Sequence, residues 1–233
     1  MNSGDPSALL KIARDRLHPS LTDPNFLVLN ARRKIFANWI NTFPASKMTI
    51  LDVGGRYQPY RPLFESRISK YLALDILQTN LVDVVGSGEA LPFANNSFDL
   101  VIATQVFEYF SSPRLAADQI HTVLKPGGML LMSVAAFAPR FSDDDRWRFT
   151  PAGIRTVLGS FGKVEIIPEV SSLGGFIRSV NVGLNIFVRY DFLRSLLSAT
   201  VRPLANLIGL GFERINGTKN DQFTPNYSVL AIK

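Results

Sequence analysis

Residues 50–58 are Ile50-Leu51-Asp52-Val53-Gly54-Gly55-Arg56-Tyr57-Gln58, an apolar run that passes through an acid into paired glycines. Such a strand and turn are typical of a parallel sheet that holds a nucleotide-like cofactor at its carboxyl edge. Small residues there let the backbone approach a ligand, and the next helix, with Pro59 in its first turn, would offer free amide hydrogens. Glycine turns also serve purely structural purposes, so the neighbouring segments must support this interpretation.

Apolar runs that alternate with helical segments predict the rest of the fold. After a first strand that begins at Met48, strands are predicted at residues 71–75, 81–85, 97–104, 129–134, 163–168 and 227–232. Helices are predicted at residues 8–17, 25–43, 63–68 and 151–158, and a further helix ends before residues 125–128. This alternation predicts an α/β fold with a doubly wound, mostly parallel sheet covered by helices on both faces.

Four motifs recur in order along this pattern: LDVG at residues 51–54, LPF at 91–93, SFD at 97–99 and LKPGG at 124–128. In their joint spacing the chain resembles class I S-adenosylmethionine-dependent methyltransferases of the methyltransferase type 11 family. It is most similar to those associated with cell-surface polysaccharide synthesis, which share PYRPLF, here residues 59–64, and DxxRFT, here residues 145–150. The resemblance implies a Rossmann-like sheet of seven strands whose last strand inserts antiparallel beside the sixth.

The predicted ligand of the glycine turn is S-adenosylmethionine, on chemical grounds as well as by resemblance. The pyrophosphate of a dinucleotide favours G-x-G-x-x-G, whereas this chain, counted from Gly54, has arginine and proline in place of two glycines. A sulfonium amino acid has no phosphate and needs a close turn and an acid, Asp52, near its ammonium. Asp75 would accept the ribose hydroxyls, since it ends a strand about 20 residues past the glycines.

The other cofactor contacts follow from the remaining motifs. Ile76 and Leu91 would enclose the adenine, the turn at residues 87–89 would meet its amino edge, and Thr104 and Gln105 would line the methionine side. The complete predicted set is Asp52, Gly54, Gly55, Arg56, Asp75, Ile76, Ser87, Gly88, Glu89, Leu91, Thr104 and Gln105.

Two positions depart from the family pattern. Arg56 replaces a glycine that most relatives have, and Ser87 replaces a common acid. A left-handed backbone at Arg56 would cost on the order of 1 kcal/mol, and its guanidinium would either pair with the cofactor carboxylate or fill the site. A non-catalytic binding or scaffold protein with a degenerate cofactor site is therefore the alternative to an enzyme.

The predicted acceptor is a small molecule or a glycan, methylated most simply on oxygen. In-line displacement at a sulfonium methyl depends mainly on alignment, and a base is needed only if the attacking atom bears a proton. The candidate catalytic residues are Glu108, Tyr109, Asp145 and Arg148, and relatives often have Glu-His where this chain has Glu108-Tyr109. Trp147 would stack on a sugar, while Asp145 or Arg148 would bind its hydroxyls or a phosphate.

Composition and charge narrow the function classes. The 233 residues include no cysteine and two histidines, so neither disulfides nor a metal site is predicted. Charged residues near the start replace the apolar stretch of a signal peptide, which predicts a cytoplasmic protein. The net charge of +6 is spread out, and its densest cluster, Arg32-Arg33-Lys34, is expected on a solvated helix face. No nucleic-acid partner is predicted, because Asn-Pro-Pro-Tyr is absent after the fourth strand.

The segment between Gly174 and Gly211 is the most unusual part of the chain. Apolar residues recur there at helical spacing, but four arginines interrupt them too often for a membrane span. Two interpretations stay open: a helical cap packed over the substrate cleft, or an interfacial helix that reaches lipid-linked acceptors through peripheral membrane contact. The predicted division is N-terminal helices (1–43), cofactor-binding core (44–170), helical cap insertion (171–215) and last core strand (216–233), with the oligomeric state open.

Overall fold

The structure is a computed structural model and describes residues 6–217 and 220–233. Its α-helices are α1 (Pro6–Leu17), α2 (Phe26–Thr42), α3 (Pro113–Val123), α4 (Pro151–Val157), α5 (Ser172–Phe187) and α6 (Asp191–Asn216). Its strands are β1 (Met48–Val53), β2 (Ile68–Asp75), β3 (Val84–Val85), β4 (Phe98–Thr104), β5 (Leu124–Ala135), β6 (Lys163–Pro168) and β7 (Asn226–Ile232). Two short 3₁₀ helices cover Arg61–Arg67 and Phe107–Tyr109.

The strands form one seven-stranded sheet in the order β3-β2-β1-β4-β5-β7-β6. Neighbouring strands are parallel except at β7, which runs antiparallel between β5 and β6. The strand order therefore reverses between β1 and β4. In open α/β sheets, ligands bind beyond the carboxyl ends of the strands at such a reversal. The predicted doubly wound sheet and its inserted last strand are confirmed.

Alternating side chains of β1 explain why helices cover both faces of the sheet. Ile50 belongs to an apolar cluster with Phe36 and Trp39 of α2. Leu51, which points to the other face, belongs to a cluster with Ile120 of α3 and Ile154 of α4. Each face is thus closed by its own helices, and only the edges at the strand ends remain for a ligand.

The connection from β1 to β2 differs from the predicted one. The predicted short helix is present as the 3₁₀ helix Arg61–Arg67, but Pro62, not Pro59, lies in its first turn. The third strand is also shorter than predicted. The amide of Val82 donates to the carbonyl of Thr79, so the chain is still turning there and pairs with β2 only from Val84.

The predicted insertion before the last strand forms a hairpin of two helices, α5 and α6. Asn181 bonds to Asn206 and Asn185 to Arg202, so the two helices run antiparallel. They also contact α2. Among the described residues, no helix is both long enough and apolar enough to cross a bilayer. The division of the chain into four segments stays a prediction.

Candidate active site

In the glycine turn after β1, both glycine amides are used within the protein, while the glycine carbonyls accept no hydrogen bond from the described residues. Gly54 has a φ of +76°. The amides of Gly54 and Gly55 both donate to the carbonyl of Leu74, at 2.8 and 3.1 Å. The helix that follows begins only at Arg61, and the amide of Arg61 donates to the carbonyl of Gln58, so the supply of amide hydrogens from this helix stays a prediction. Free carbonyls suit a ligand group that donates hydrogen bonds, such as an ammonium, better than a phosphate.

The carboxylate of Asp52 is buried against this turn. It is 4% exposed, and its Oδ2 accepts the hydroxyl of Tyr71 at 2.6 Å. No salt bridge within residues 6–217 and 220–233 involves it. Burial, opposed by the bond from Tyr71 and aided by the charge of Asp75, raises the pKa of Asp52 to about 7. A cationic ligand group beside Asp52 would favour its charged form.

Two motif glycines are required by different neighbours. A Cβ on Gly54 would lie 2.9 Å from Cγ2 of Val106, the residue that follows the end of β4 by two positions. A Cβ on Gly88 would lie 2.7 Å from the ring of Phe110 and 2.9 Å from Val53, both in the core. The absence of a side chain at Gly54 therefore lets the turn after β1 lie close to Val106 at the carboxyl edge of the sheet. Gly88 is instead required by the packing of the core.

Asp75 and Ile76 lie at the end of β2, where the sequence predicts ribose and adenine. Oδ1 of Asp75 accepts the amide of Leu77 at 2.9 Å, and the carboxylate has lone pairs left for further donors. Ile76 is 69% exposed and offers an apolar surface beside that acid. Leu91, its predicted counterpart, is 8% exposed, so most of its side chain packs in the core.

The turn at residues 87–89 is held by its own hydrogen bonds. Ser87 Oγ accepts the amide of Glu89 at 3.1 Å. The carboxylate of Glu89 accepts the amides of Ser111 and Ser112, at 3.2 and 2.7 Å, at the start of α3. The side chain of Glu89 is therefore engaged in positioning α3, and half-buried Ser87 is left as the polar side chain of this turn.

Arg56 does not have the left-handed backbone considered from the sequence; Gln58 and Gln105 have positive φ instead, at 51° and 53°. The guanidinium of Arg56 lies 5.0 Å above the ring of Tyr57. Its Nε is buried without a hydrogen-bond partner among the described residues. An unpartnered buried donor is costly unless a ligand or water accepts from it.

A buried polar network supports the end of β4. Half-buried Thr104 ends that strand, and the next residue, Gln105, donates through its amide and its Nε2 to Ser133, at 2.8 and 3.1 Å. Ser133 in turn donates to Oε1 of Glu169 at 2.7 Å. Arg32 donates to both oxygens of Glu169, at 2.6 and 2.9 Å, with side chains 5% and 0% exposed.

Arg32 thereby corrects an expectation. The sequence predicts Arg32 on a solvated helix face with Arg33 and Lys34, but in the structure it points into the protein, because the buried carboxylate of Glu169 lies opposite. The sequence interpretation missed Glu169 altogether. One sequence feature could have pointed to Glu169: it is an acid directly after β6, at the same edge of the sheet as Asp75 at the end of β2.

Glu108 is the buried acid of the acceptor side. It is 3% exposed; its Oε1 accepts the amide of Ala135, and its Oε2 has no hydrogen-bond partner in the described part of the chain. Burial raises the pKa of Glu108 to about 7. A carboxyl that titrates near neutral pH has the proton affinity of a general base. Tyr109, the next residue, is 38% exposed.

Asp145 and Arg148 hold a loop together instead of facing an open cleft. Arg148 donates to Oδ1 and Oδ2 of Asp145 at 2.5 and 2.7 Å, and to the carbonyls of Ala138 and Pro139 at 3.1 and 2.8 Å. The Asp145 side chain is 1% exposed, and the bond from Arg148 lowers its pKa. Their predicted contacts with an acceptor remain predictions, but both side chains are engaged within the loop.

Exposed aromatic residues surround this loop. Phe137, Phe141 and Trp147 are 49%, 60% and 42% exposed. Trp147 is fixed by a hydrogen bond from its Nε1 to the carbonyl of Phe110 at 2.8 Å. We group these side chains with Tyr109 as the aromatic mouth, which is tied to Glu108 because the carbonyl of Glu108 accepts the amide of Trp147 at 3.2 Å.

Part of the chain is similar to known proteins. Residues 51–132 match the sequence profile of a family described as a methyltransferase domain. The chain is 44% identical over 50 residues to malonyl-[acyl-carrier protein] O-methyltransferase 1 of Coxiella burnetii, covering 22% of this chain and 18% of that protein. It is 30% identical over 106 residues to arginine-hydroxylase NDUFAF5 of Homo sapiens, covering 41% and 31%. The chain thus spans less than a third of either relative.

Solved structures share the fold at low sequence identity. The [4+2]-cyclase SpnF superposes with a TM-score of 0.53 at 16% identity, covering 86% of this chain and 80% of that one. Phosphoethanolamine N-methyltransferase 2 of Haemonchus contortus, in complex with S-adenosyl-L-methionine, superposes with a TM-score of 0.53 at 15% identity, covering 95% and 60%. Because the two carry out different reactions, the fold alone does not specify the chemistry of this chain.

Proposed function

We propose that this chain, whose residues 51–132 form a methyltransferase domain in a class I methyltransferase fold, transfers a methyl group from S-adenosylmethionine to a small-molecule or sugar acceptor. The predicted family and fold are confirmed by that match and by the strand order. The association with polysaccharide synthesis, the methylated oxygen and the cytoplasmic location stay predictions.

The observation that carries this proposal is Asp52, a buried carboxyl with no cation in the described chain, beside a turn that offers carbonyls. Together they suit the ammonium of an amino-acid group. Arg56, with its unpartnered Nε, suits the carboxylate of the same group. Asp75 would take the ribose hydroxyls, and Ile76 would cover one face of the adenine. These residue types fit S-adenosylmethionine from its amino-acid end to its base.

When bound, S-adenosylmethionine supplies an electrophilic methyl group on a sulfur that leaves without needing a proton. The protein has to align the acceptor and, for a hydroxyl acceptor, remove one proton. Oε2 of Glu108 is the atom that would take it, because it has no hydrogen-bond partner among the described residues and the pKa of Glu108 is close to neutral. The Tyr109 hydroxyl, whose pKa is raised mainly by burial, would remain protonated and donate a hydrogen bond.

The acceptor would be held chiefly by the aromatic mouth. Aromatic faces suit the apolar side of a sugar ring or another flat molecule, whereas Asp145 and Arg148 give the loop its shape. The proposal covers an acceptor that is free and one that is carried on a lipid.

Titration calorimetry with S-adenosylhomocysteine, the product of the methyl donor, tests the cofactor half of the proposal. We expect measurable binding to the wild type and roughly tenfold or more weaker binding to Asp75→Asn, since hydrogen bonds to charged groups contribute about 1.5–3 kcal/mol. Asp144→Asn, which changes an exposed acid in the loop at residues 136–149, is the matched control and should bind as the wild type does. No binding to the wild type at millimolar ligand would overturn the proposal in favour of a non-catalytic scaffold.

A further inference from the structure

The α5–α6 hairpin has its polar side chains on the inside. Arg178, Asn181 and Asn206 are 3%, 0% and 0% exposed. Asn181 donates to Asn206 at 3.0 Å, and Asn206 donates to the carbonyls of Leu21 and Asp23 at 2.7 and 3.1 Å. Arg178 donates to the side chain of Asn25 at 3.0 Å. Hydrogen bonds to the N-terminal part of the chain therefore hold the inner side of the hairpin.

The outer side of the same hairpin is apolar. Phe176 and Phe187 of α5 are 58% and 80% exposed, and Phe192, Leu204 and Ile215 of α6 are 81%, 61% and 81% exposed. A helix of a soluble protein normally turns its apolar stripe inward and its polar side to water. This hairpin does the reverse, and large apolar side chains exposed in such number on one hairpin mark a contact with another protein or a membrane.

Charge and aromatic content favour a membrane as the occupant. The exposed charged residues of the hairpin are Arg189, Arg214 and Asp191, and Asp191 is paired with Arg194 at 3.0 Å. The whole chain carries a net charge of +6. An apolar surface bordered by arginines, on a basic protein, is complementary to a bilayer with anionic headgroups. At the tip of the hairpin, Phe187, Tyr190 and Phe192 project together, and such side chains favour the boundary between acyl chains and headgroups.

The hairpin is joined to the aromatic mouth of the candidate active site by direct packing. Phe137 of the mouth lies 3.9 Å from Phe223, ring centre to ring centre. The backbone of Phe223 packs so closely on Gly175, in the first turn of α5, that a Cβ there would clash with its carbonyl. Phe176, the first exposed aromatic residue of the hairpin, comes next in the chain. A surface that lies against the hairpin is therefore brought close to the acceptor mouth.

We propose that the outer face of the α5–α6 hairpin docks on the surface of a bilayer that contains anionic lipids. The apolar side chains enter the boundary between headgroups and acyl chains, and Arg189 and Arg214 contact the phosphates. The hairpin lies on the membrane and does not span it. This inference goes beyond methyl transfer and does not depend on it, although such docking would favour the lipid-linked form of the acceptor.

Co-sedimentation with phosphatidylcholine vesicles, with and without phosphatidylglycerol, tests the docking. We expect the wild type to bind the anionic vesicles more tightly, and to keep part of that binding at high salt, because apolar contacts are not screened. The double variant Phe187→Ser with Phe192→Ser should bind at least about tenfold more weakly, since even partial burial of two aromatic rings contributes that much. The matched control, Leu10→Ser with Leu115→Ser, changes two exposed leucines on α1 and α3 and should bind as the wild type does.

Three outcomes would overturn the docking. One is equal vesicle binding by the Phe187→Ser, Phe192→Ser variant and the wild type; another is complete loss of wild-type binding at high salt, which would leave charge alone. The third is that the wild type is a dimer in analytical ultracentrifugation while the double variant is a monomer, which would assign the outer face of the α5–α6 hairpin to a second copy of the chain. Far-ultraviolet circular dichroism and thermal unfolding of the same samples report correct folding, and affinity for S-adenosylhomocysteine is measured separately, so a failure of the docking stays distinct from a failure of the methyltransferase proposal.

Discussion

In the donor half of the site, formed by residues 52–56, 75 and 76, the carboxylates of Asp52 and Asp75 lack a partner cation in the described chain. In the acceptor half, formed by residues 108 and 136–149, Arg148 encloses Asp145. Gln105, which is predicted to line the methionine side next to this half, is tied to Ser133. The donor half is therefore arranged to receive a charged, polar ligand. The acceptor half uses most of its polar groups to hold its own shape, and it presents aromatic surface and one buried acid, Glu108.

This difference indicates how the two halves achieve specificity. The open lone pairs of Asp52 and Asp75 and the unpartnered Nε of Arg56 favour one particular ligand. Only a ligand with donors and a negative charge at matching positions satisfies these groups. An aromatic mouth on a rigid loop is less selective, and it accepts different molecules of similar shape. This difference between the halves would be contradicted by either of two results. One is that the internal hydrogen bonds of the acceptor half do not contribute to stability; the other is that the open polar groups of the donor half do not contribute to ligand binding.

The largest effect should come from breaking the buried pair below the acceptor half. We expect Arg32→Ala to lower the free energy of unfolding by about 3–5 kcal/mol, because it leaves the Glu169 carboxylate buried without its cation. Chemical denaturation followed by circular dichroism measures this loss.

The matched control is Lys34→Ala, two residues further along α2 on its exposed side, which should change the free energy of unfolding by less than about 0.5 kcal/mol. A loss below about 1 kcal/mol for Arg32→Ala would mean that the pair is solvated. The network from Arg32 to Gln105 would then not support the acceptor half.

The same network shows where sequence reasoning ends. The glycine turn, Asp52 and Asp75 were predicted because strand ends and turns follow from local spacing. The pairing of Arg32 with Glu169, 137 residues apart, depends on how α2 packs against the end of β6, which no local pattern encodes. For the same reason, Asp145 and Arg148 were predicted as free binding groups. Their spacing of three residues also allowed the internal pair that the loop forms.

An effect of intermediate size on the free energy of unfolding is expected from Glu108→Gln, which changes the buried acid of the acceptor half. Its pKa is raised from an ordinary value of about 4.3 when unfolded to about 7 when folded. The folded state therefore holds the proton more tightly, and unfolding free energy falls as pH rises from about 4.3 to 7, then stays level. Glu108→Gln imitates the protonated form. It should match the wild type below about pH 4 and exceed its stability at pH 8 by on the order of 3 kcal/mol.

Denaturation at a series of pH values measures this difference, and the contribution of Asp52 cancels because both proteins retain it. Glu65→Gln, an exposed acid in the 3₁₀ helix after the glycine turn, provides the control and should track the wild type at every pH. Parallel stability curves for Glu108→Gln and the wild type would contradict the burial of this carboxylate. Glu108 would then belong with the open, solvated groups and not with the enclosed acceptor half.

The smallest effect compares two glycines of nearly equal backbone conformation. Gly54 and Gly127 have φ values of +76° and +74°. A Cβ on Gly54 would lie 2.9 Å from Val106, whereas a Cβ on Gly127 would meet no atom within 4 Å. Replacement of either glycine by alanine should cost about 1–2 kcal/mol of stability through left-handed strain. Only Gly54→Ala should also weaken S-adenosylhomocysteine binding, by roughly tenfold, because the stiff Val106 side chain must shift into the donor half. Equal affinities of the two variants in calorimetry would mean that the turn tolerates a wider shape, and that the donor half is less closely fitted to its ligand than the open carboxylates suggest.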